Sequence, residues 1–121
     1  MPRKSARRAK RRAKILHVDR DRNAYDAVAK VLAGIADVVS VDSIDDARYA
    51  VSSIDFDLVV LEAQLIAEFD SDPAVAFRDG KGNVVQVVIL SATATEPAAP
   101  WPTLDDLPSI VRVRLSRTSG S

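Results

Sequence analysis

Residues 15–21 read Ile15-Leu16-His17-Val18-Asp19-Arg20-Asp21, an apolar run that ends abruptly in an acidic cluster. A run this short, without polar alternation, suits a strand buried on both faces, and such strands belong to parallel sheets with helices on either side. His17 is the chain's single histidine, and its apolar neighbours make it a packed core residue. Three further runs follow: residues 38–41, then Leu58-Val59-Val60-Leu61 leading directly into Glu62, then residues 84–90, the strongest strand pattern of all.

Helical spacing fills the gaps. Tyr25, Val28, Val31 and Leu32 recur on one face of residues 22–33, and Gly34 stands where a helix C-terminal glycine belongs. Ser43 with Asp46 three residues on has the pattern of a capping box, opening a helix through Ala47, Ala50 and Val51. A weaker helix is expected near residues 73–78, before Gly80-Lys81-Gly82-Asn83 turns the chain. Pro97, Pro100, Pro102 and Pro108 then remove backbone donors too often for a long helix, leaving room for one turn near Leu104. Residues 110–115 alternate apolar side chains with Arg112 and Arg114, the pattern of a half-exposed fifth strand, and residues 116–121 are too few and too polar for another helix.

Strands alternating with helices in this way predict an α/β fold, a flavodoxin-like doubly wound parallel five-stranded sheet with the fourth helix reduced and the last helix missing. Without that last helix one sheet face would meet water, which points to a homodimer or to capture of a partner's helix.

At 121 residues, 47% of them hydrophobic and 28% charged, the chain has the composition of one soluble domain. Its zero net charge hides an asymmetry: eight of the 17 Lys and Arg, and none of the 17 Asp and Glu, fall in the first 14 residues, leaving the rest at −8. Residues 1–14 have no large apolar side chain after Met1 and are expected to be a basic disordered arm, with the folded domain at 15–121. Residues 3–14 suit weak, sequence-independent nucleic-acid contact without base stacking, or attraction to the acidic body itself. A mitochondrial-type targeting segment has the same basic, acid-free character. The absence of cysteine excludes disulfides, a thiol nucleophile and Cys-ligated zinc. No apolar run approaches the ~20 residues of a membrane helix, so a cytoplasmic protein without membrane contact is expected.

In a doubly wound sheet the working groups lie at the carboxyl ends of the strands. Those delivered here are Asp19, Arg20 and Asp21 after the first strand, Glu62 after the third, Ser91 after the fourth, and Arg114 or Leu115 on the fifth. Taken in order, Ile15 through Asp21, Asp57-Leu58-Val59-Val60-Leu61-Glu62 and Val87 through Ala92 resemble a receiver domain of the bacterial response-regulator family, over residues 15–118. That resemblance implies magnesium-assisted phosphoryl transfer from a histidine kinase to an aspartate, steadied by a lysine and a hydroxyl.

The chain departs from that pattern at most positions. Glu62 stands at the acceptor, its extra methylene moving the carboxylate away from in-line attack. Arg20 replaces a carboxylate of the acidic cluster, Ile66 stands near the family's proline, and Arg114 or Leu115 falls at the lysine. Only Asp19 and Ser91 match outright. The resemblance therefore implies a degenerate receiver-like domain of a two-component phosphorelay pathway, not an enzyme. No catalytic residue, metal or cofactor is expected, magnesium entering only if the site is active. Its partner would be a signalling protein or histidine kinase.

Within the site, Arg20 is expected to pair with Glu62 or Asp19, while Glu62 as a partial imitation of the phosphorylated state is the other reading. Ser91 reads as a switch hydroxyl or a turn residue, and Trp101 as a partner anchor or a cover for the sheet edge. Alternatives are an active phospho-accepting regulator and a nucleic-acid-associated protein using the arm. Asp19-Arg20-Asp21 also has the DxD spacing of haloacid-dehalogenase-like phosphatases, without their downstream lysine and acidic metal pair.

Overall fold

The computed structural model describes residues 12–70, 72–90 and 102–119, with side chains through Ser116. The apolar runs pair as one parallel sheet of β1 (Ala13–Val18), β2 (Ala36–Val41), β3 (Leu58–Glu62) and β4 (Val87–Leu90), in the order β2-β1-β3-β4. Every residue of β3 is buried, as an interior strand covered on both faces must be. Chain order reverses between β1 and β3, and there Val18 lies opposite Leu61. The residues that follow, Asp19 and Glu62, are thereby set side by side at the crevice where doubly wound sheets hold their ligands.

Alternate residues of the central strands enter two separate cores. Leu16, Val18, Val59 and Leu61 meet Ala47 and Val51 of α2 (Ile44–Ser53), with Phe56, Phe77 and Val85 closing the layer. Ile15, Leu58, Val60, Val88 and Leu90 face the other way, onto Val28 of α1 (Asn23–Val31), Leu32, and Leu107 and Val111 of α3 (Leu107–Ser119). The Ser43 hydroxyl accepts from the Asp46 N–H at 3.1 Å, the cap its spacing predicts for α2. Gly34 is not a left-handed cap. Helix α1 is closed instead by the Ile35 and Ala36 N–H groups, both donating to the Leu32 carbonyl at 2.9 Å, and Gly82, at φ 86°, is the one glycine of positive φ among the described residues.

Residues 110–115 form no strand but lie in α3, so a helix stands where the last helix was expected to be missing, and among the described residues the sheet has four strands. Leu107, Val111 and Leu115 recur every four residues, which a helix turns to one side, and that side packs on the sheet beside α1. Pro108 does not prevent this, because in a first turn its missing N–H has no intrahelical partner to lose. A 3-10 turn at Leu104–Asp106 leads in, the Asp106 carboxylate accepting from the Thr103 N–H at 3.4 Å. Helices α1 and α3 thus cover one face together, and the open face from which a homodimer was expected is filled.

Smaller departures follow the same logic. β1 starts at Ala13, before the apolar run, because the Lys14 N–H donates to Asp57 Oδ2 at 2.8 Å and Arg12 binds Asp37 Oδ1 at 2.8 Å and the Ala33 and Ala36 carbonyls. Residues 12–14 therefore belong to the body, and the rest of the arm lies outside the described residues. Pro73–Val75 is a single 3-10 turn, and β4 begins only at Val87, Val84 forming an isolated antiparallel bridge with Arg78. Ser91, Pro97, Pro100 and Trp101 lie outside the described residues. Among those described, no helix is long and apolar enough to cross a membrane.

Candidate functional site

Beyond the carboxyl ends of β1 and β3 lies a cavity of about 380 Å³ lined by Asp19, Arg20, Asp21, Glu62, Gln64, Leu65 and Glu68. The sequence places Asp19, Arg20, Asp21 and Glu62 here; Gln64 and Glu68 arrive on a 3-10 helix, Ala63–Glu68, that no periodicity in the sequence announces. Asp19 and Glu62 are only 2% and 4% exposed. Two carboxylates buried side by side require compensation, and each obtains part of it from backbone. Asp19 Oδ1 accepts from the Asp21 N–H at 2.8 Å, and Glu62 Oε1 accepts from the Gln64 N–H at 2.8 Å, capping the 3-10 helix.

The other Asp19 oxygen, Oδ2, accepts no hydrogen bond. It faces His17 Nε2 at 3.4 Å, an ion-pair distance when the imidazole is protonated, and that nitrogen likewise has no hydrogen-bond partner. His17 is fully buried, its Nδ1 lying 3.1 Å from Ser40 Oγ and its ring edge-on to Tyr25, whose hydroxyl donates to the Asp19 carbonyl. The core histidine read from the sequence is thus also a neighbour of the site. Burial pushes the Glu62 carboxyl above the usual range and the Asp19 charge adds to it, while the Gln64 and Ala63 N–H groups and His17 pull the other way.

Arg20 pairs with neither Asp19 nor Glu62. Its guanidinium, well exposed, forms an ion pair with Glu68 at the rim. A rim pair keeps the guanidinium hydrated, whereas turning inward would cost its desolvation, and the 3-10 helix brings Glu68 within reach. Asp21 turns toward α1, its Oδ1 accepting from the Asn23 N–H at 2.9 Å.

Arg114 and Leu115 do not reach the site. Both lie on α3; the Arg114 carbonyl accepts from Gln86 Nε2 at 3.4 Å, just before β4 begins, and Leu115 packs toward the α1 side of the core. The switch-hydroxyl position, Ser91, lies outside the described residues.

Magnesium takes an octahedron of oxygens, with one or two carboxylates directing it and water filling other positions. Here one oxygen of Asp19 and one of Glu62 are held by backbone N–H groups, and Arg20 occupies Glu68. Among the described residues no group of three His, Cys, Asp or Glu is placed to hold a metal ion. The residues present do not fit the ion that the receiver resemblance implies. No family model matches the chain, and no curated protein matches it.

Proposed function

We propose that this chain is a cytoplasmic receiver-like signalling module of the two-component type, acting through contact with a signalling protein or histidine kinase and not by accepting a phosphoryl group. The strand order β2-β1-β3-β4 supports it, being that of the first four strands of a flavodoxin-like sheet. The observation that carries it is the acceptor position. Glu62 is buried, its Oε1 is engaged by the Gln64 N–H, and its neighbour Asp19 is held by the Asp21 N–H. A carboxylate serving as a backbone cap is poorly placed as an in-line nucleophile, and Arg20 is paired with Glu68 at the rim and not with it.

What such a site offers a partner at its surface is the exposed rim, Asp21 and the Arg20–Glu68 pair. The test is addition of magnesium and beryllofluoride, followed through the amide resonances of Asp19, Asp21 and Gln64. These are expected to stay where they are. A saturable shift at all three would show a phosphoryl-binding site and restore the active regulator.

A further inference from the structure

We propose that the outer edge of β4 and the flank of α3 form a docking groove for an extended peptide strand of a partner protein, apolar at alternate residues and carrying a carboxylate. The groove is separate from the Asp19–Glu62 cavity, and binding there does not depend on the receiver reading.

The register of β4 sets which main-chain groups are open. The Val59 N–H donates to the Gln86 carbonyl at 2.9 Å, and Val59 pairs with Val87. Bonded residues alternate along a parallel strand, so Gln86, Val88 and Leu90 turn their main-chain groups to β3 while Val87 and Ile89 turn theirs away. Among the described residues no strand lies on that outer side, and the Val87 and Ile89 N–H and C=O groups have no hydrogen-bond partner. Native sheets blunt such edges with charge, proline or a bulge, and β2, the opposite edge, carries Asp37. β4 reads Val-Val-Ile-Leu and has no such device.

Beside this edge lies a groove of about 540 Å³, between Val87, Val88 and Ile89 of β4 and Ile110, Val113 and Arg114 of α3. A groove between an edge strand and a helix suits strand addition, because the main chain of the guest extends the ladder while its alternate side chains fall against the helix. Val113, half exposed, offers those side chains apolar surface. Charge selects the remaining group. Residues 107–119 include three arginines and no acid, whereas the chain beyond residue 14 sums to −8, so this wall is basic on a body that is acidic overall. A carboxylate is the guest group that a guanidinium in the wall binds best, since charge and hydrogen bond act together.

The probe is the hexapeptide acetyl-Thr-Val-Thr-Val-Thr-Glu-amide, which sets both valines and the glutamate on one face of a strand. Added to the full-length, isotope-enriched protein, it is expected to shift the Val87 and Ile89 amide resonances saturably. With about nine-tenths of the sites filled, hydrogen exchange at both amides should slow about tenfold, since it proceeds through the open edge. Only every second N–H of the guest faces β4, so N-methylation of the valines and N-methylation of the threonines are expected to differ, one abolishing binding and the other sparing it. Replacing the peptide's glutamate by glutamine is expected to weaken binding about fivefold. V113E, at an exposed helix position, tests the place of binding without threatening the fold, and is expected to remove the shifts. Absent shifts, equal effects of the two N-methylations, an unchanged affinity of the glutamine peptide, or shifts that survive V113E would each overturn the proposal. Val87 and Ile89 amides already protected without peptide would show the chain covering its own edge, and protection that grows with protein concentration would put a second copy there; either result also overturns it.

Discussion

Val111→Ala and Val113→Ala, compared side by side, decide whether residues 110–115 are helix or strand. On a strand, positions 111 and 113 share a face and would lose equally. On α3 they do not: Val111 is fully buried among the residues facing α1, and Val113 is 52% exposed. Truncating Val111 removes two methyl groups worth about 0.8 kcal/mol each, the remaining cavity raises the loss to about 2.5 kcal/mol, and the better helix propensity of alanine brings the net cost to about 2 kcal/mol. Truncating Val113 forfeits roughly half that transfer energy and regains about 0.5 kcal/mol from the better helix propensity of alanine, for a net change near zero. Urea unfolding followed by far-ultraviolet circular dichroism, with unchanged slope, measures both differences. Equal losses at the two positions would refute the helix and return the fifth strand.

Three further outcomes follow from named contacts. Ser43→Ala removes the α2 cap and is expected to cost about 1 kcal/mol in the same urea assay; a change near zero would deny the cap its role. For Glu62, whose folded carboxyl titrates above the usual range, the stability gained through the protonated form is present at low pH and lost as pH rises through the folded value. Glu62→Gln is therefore expected to gain stability relative to the native chain between about pH 4 and pH 7, and a difference flat across that span would contradict the burial argument. Removing residues 2–11 is expected to abolish nucleic-acid retention at low salt while leaving the urea midpoint unchanged. With at most six cations in play, the logarithmic salt slope of the intact chain should be no steeper than about −5.

The elements that could be read from the sequence are those whose signal is local. Leu58 to Leu61 is unbroken and apolar, and Ser43 with Asp46 names its own cap, so β3 and the start of α2 needed nothing beyond their own residues. Residues 110–115 satisfied two periods at once: Val-Arg-Val-Arg alternates like a strand, while Leu107, Val111 and Leu115 repeat like a helix. What decides between them is the vacant sheet face beside α1, which no local pattern contains. The start of β1 was hidden for a related reason, since Ala13 and Lys14 are held by hydrogen bonding and not by apolar burial.

In the site, Asp19 and Glu62 could be placed together because each ends a recognisable strand. The partner of Arg20 could not. Glu68 arrives by a 3-10 turn six residues beyond β3, and turns of that kind leave no hydrophobic period to follow. Nor did anything in the sequence show that His17, read as core, would face Asp19 across 3.4 Å.

On the proposed reading, a buried, backbone-capped Glu62 beside Asp19 does not accept a phosphoryl group. Intact mass after incubation with acetyl phosphate and magnesium tests it most directly. An unchanged mass is the expected result, and a stable gain of one phosphoryl group, removed by hydroxylamine, would contradict it.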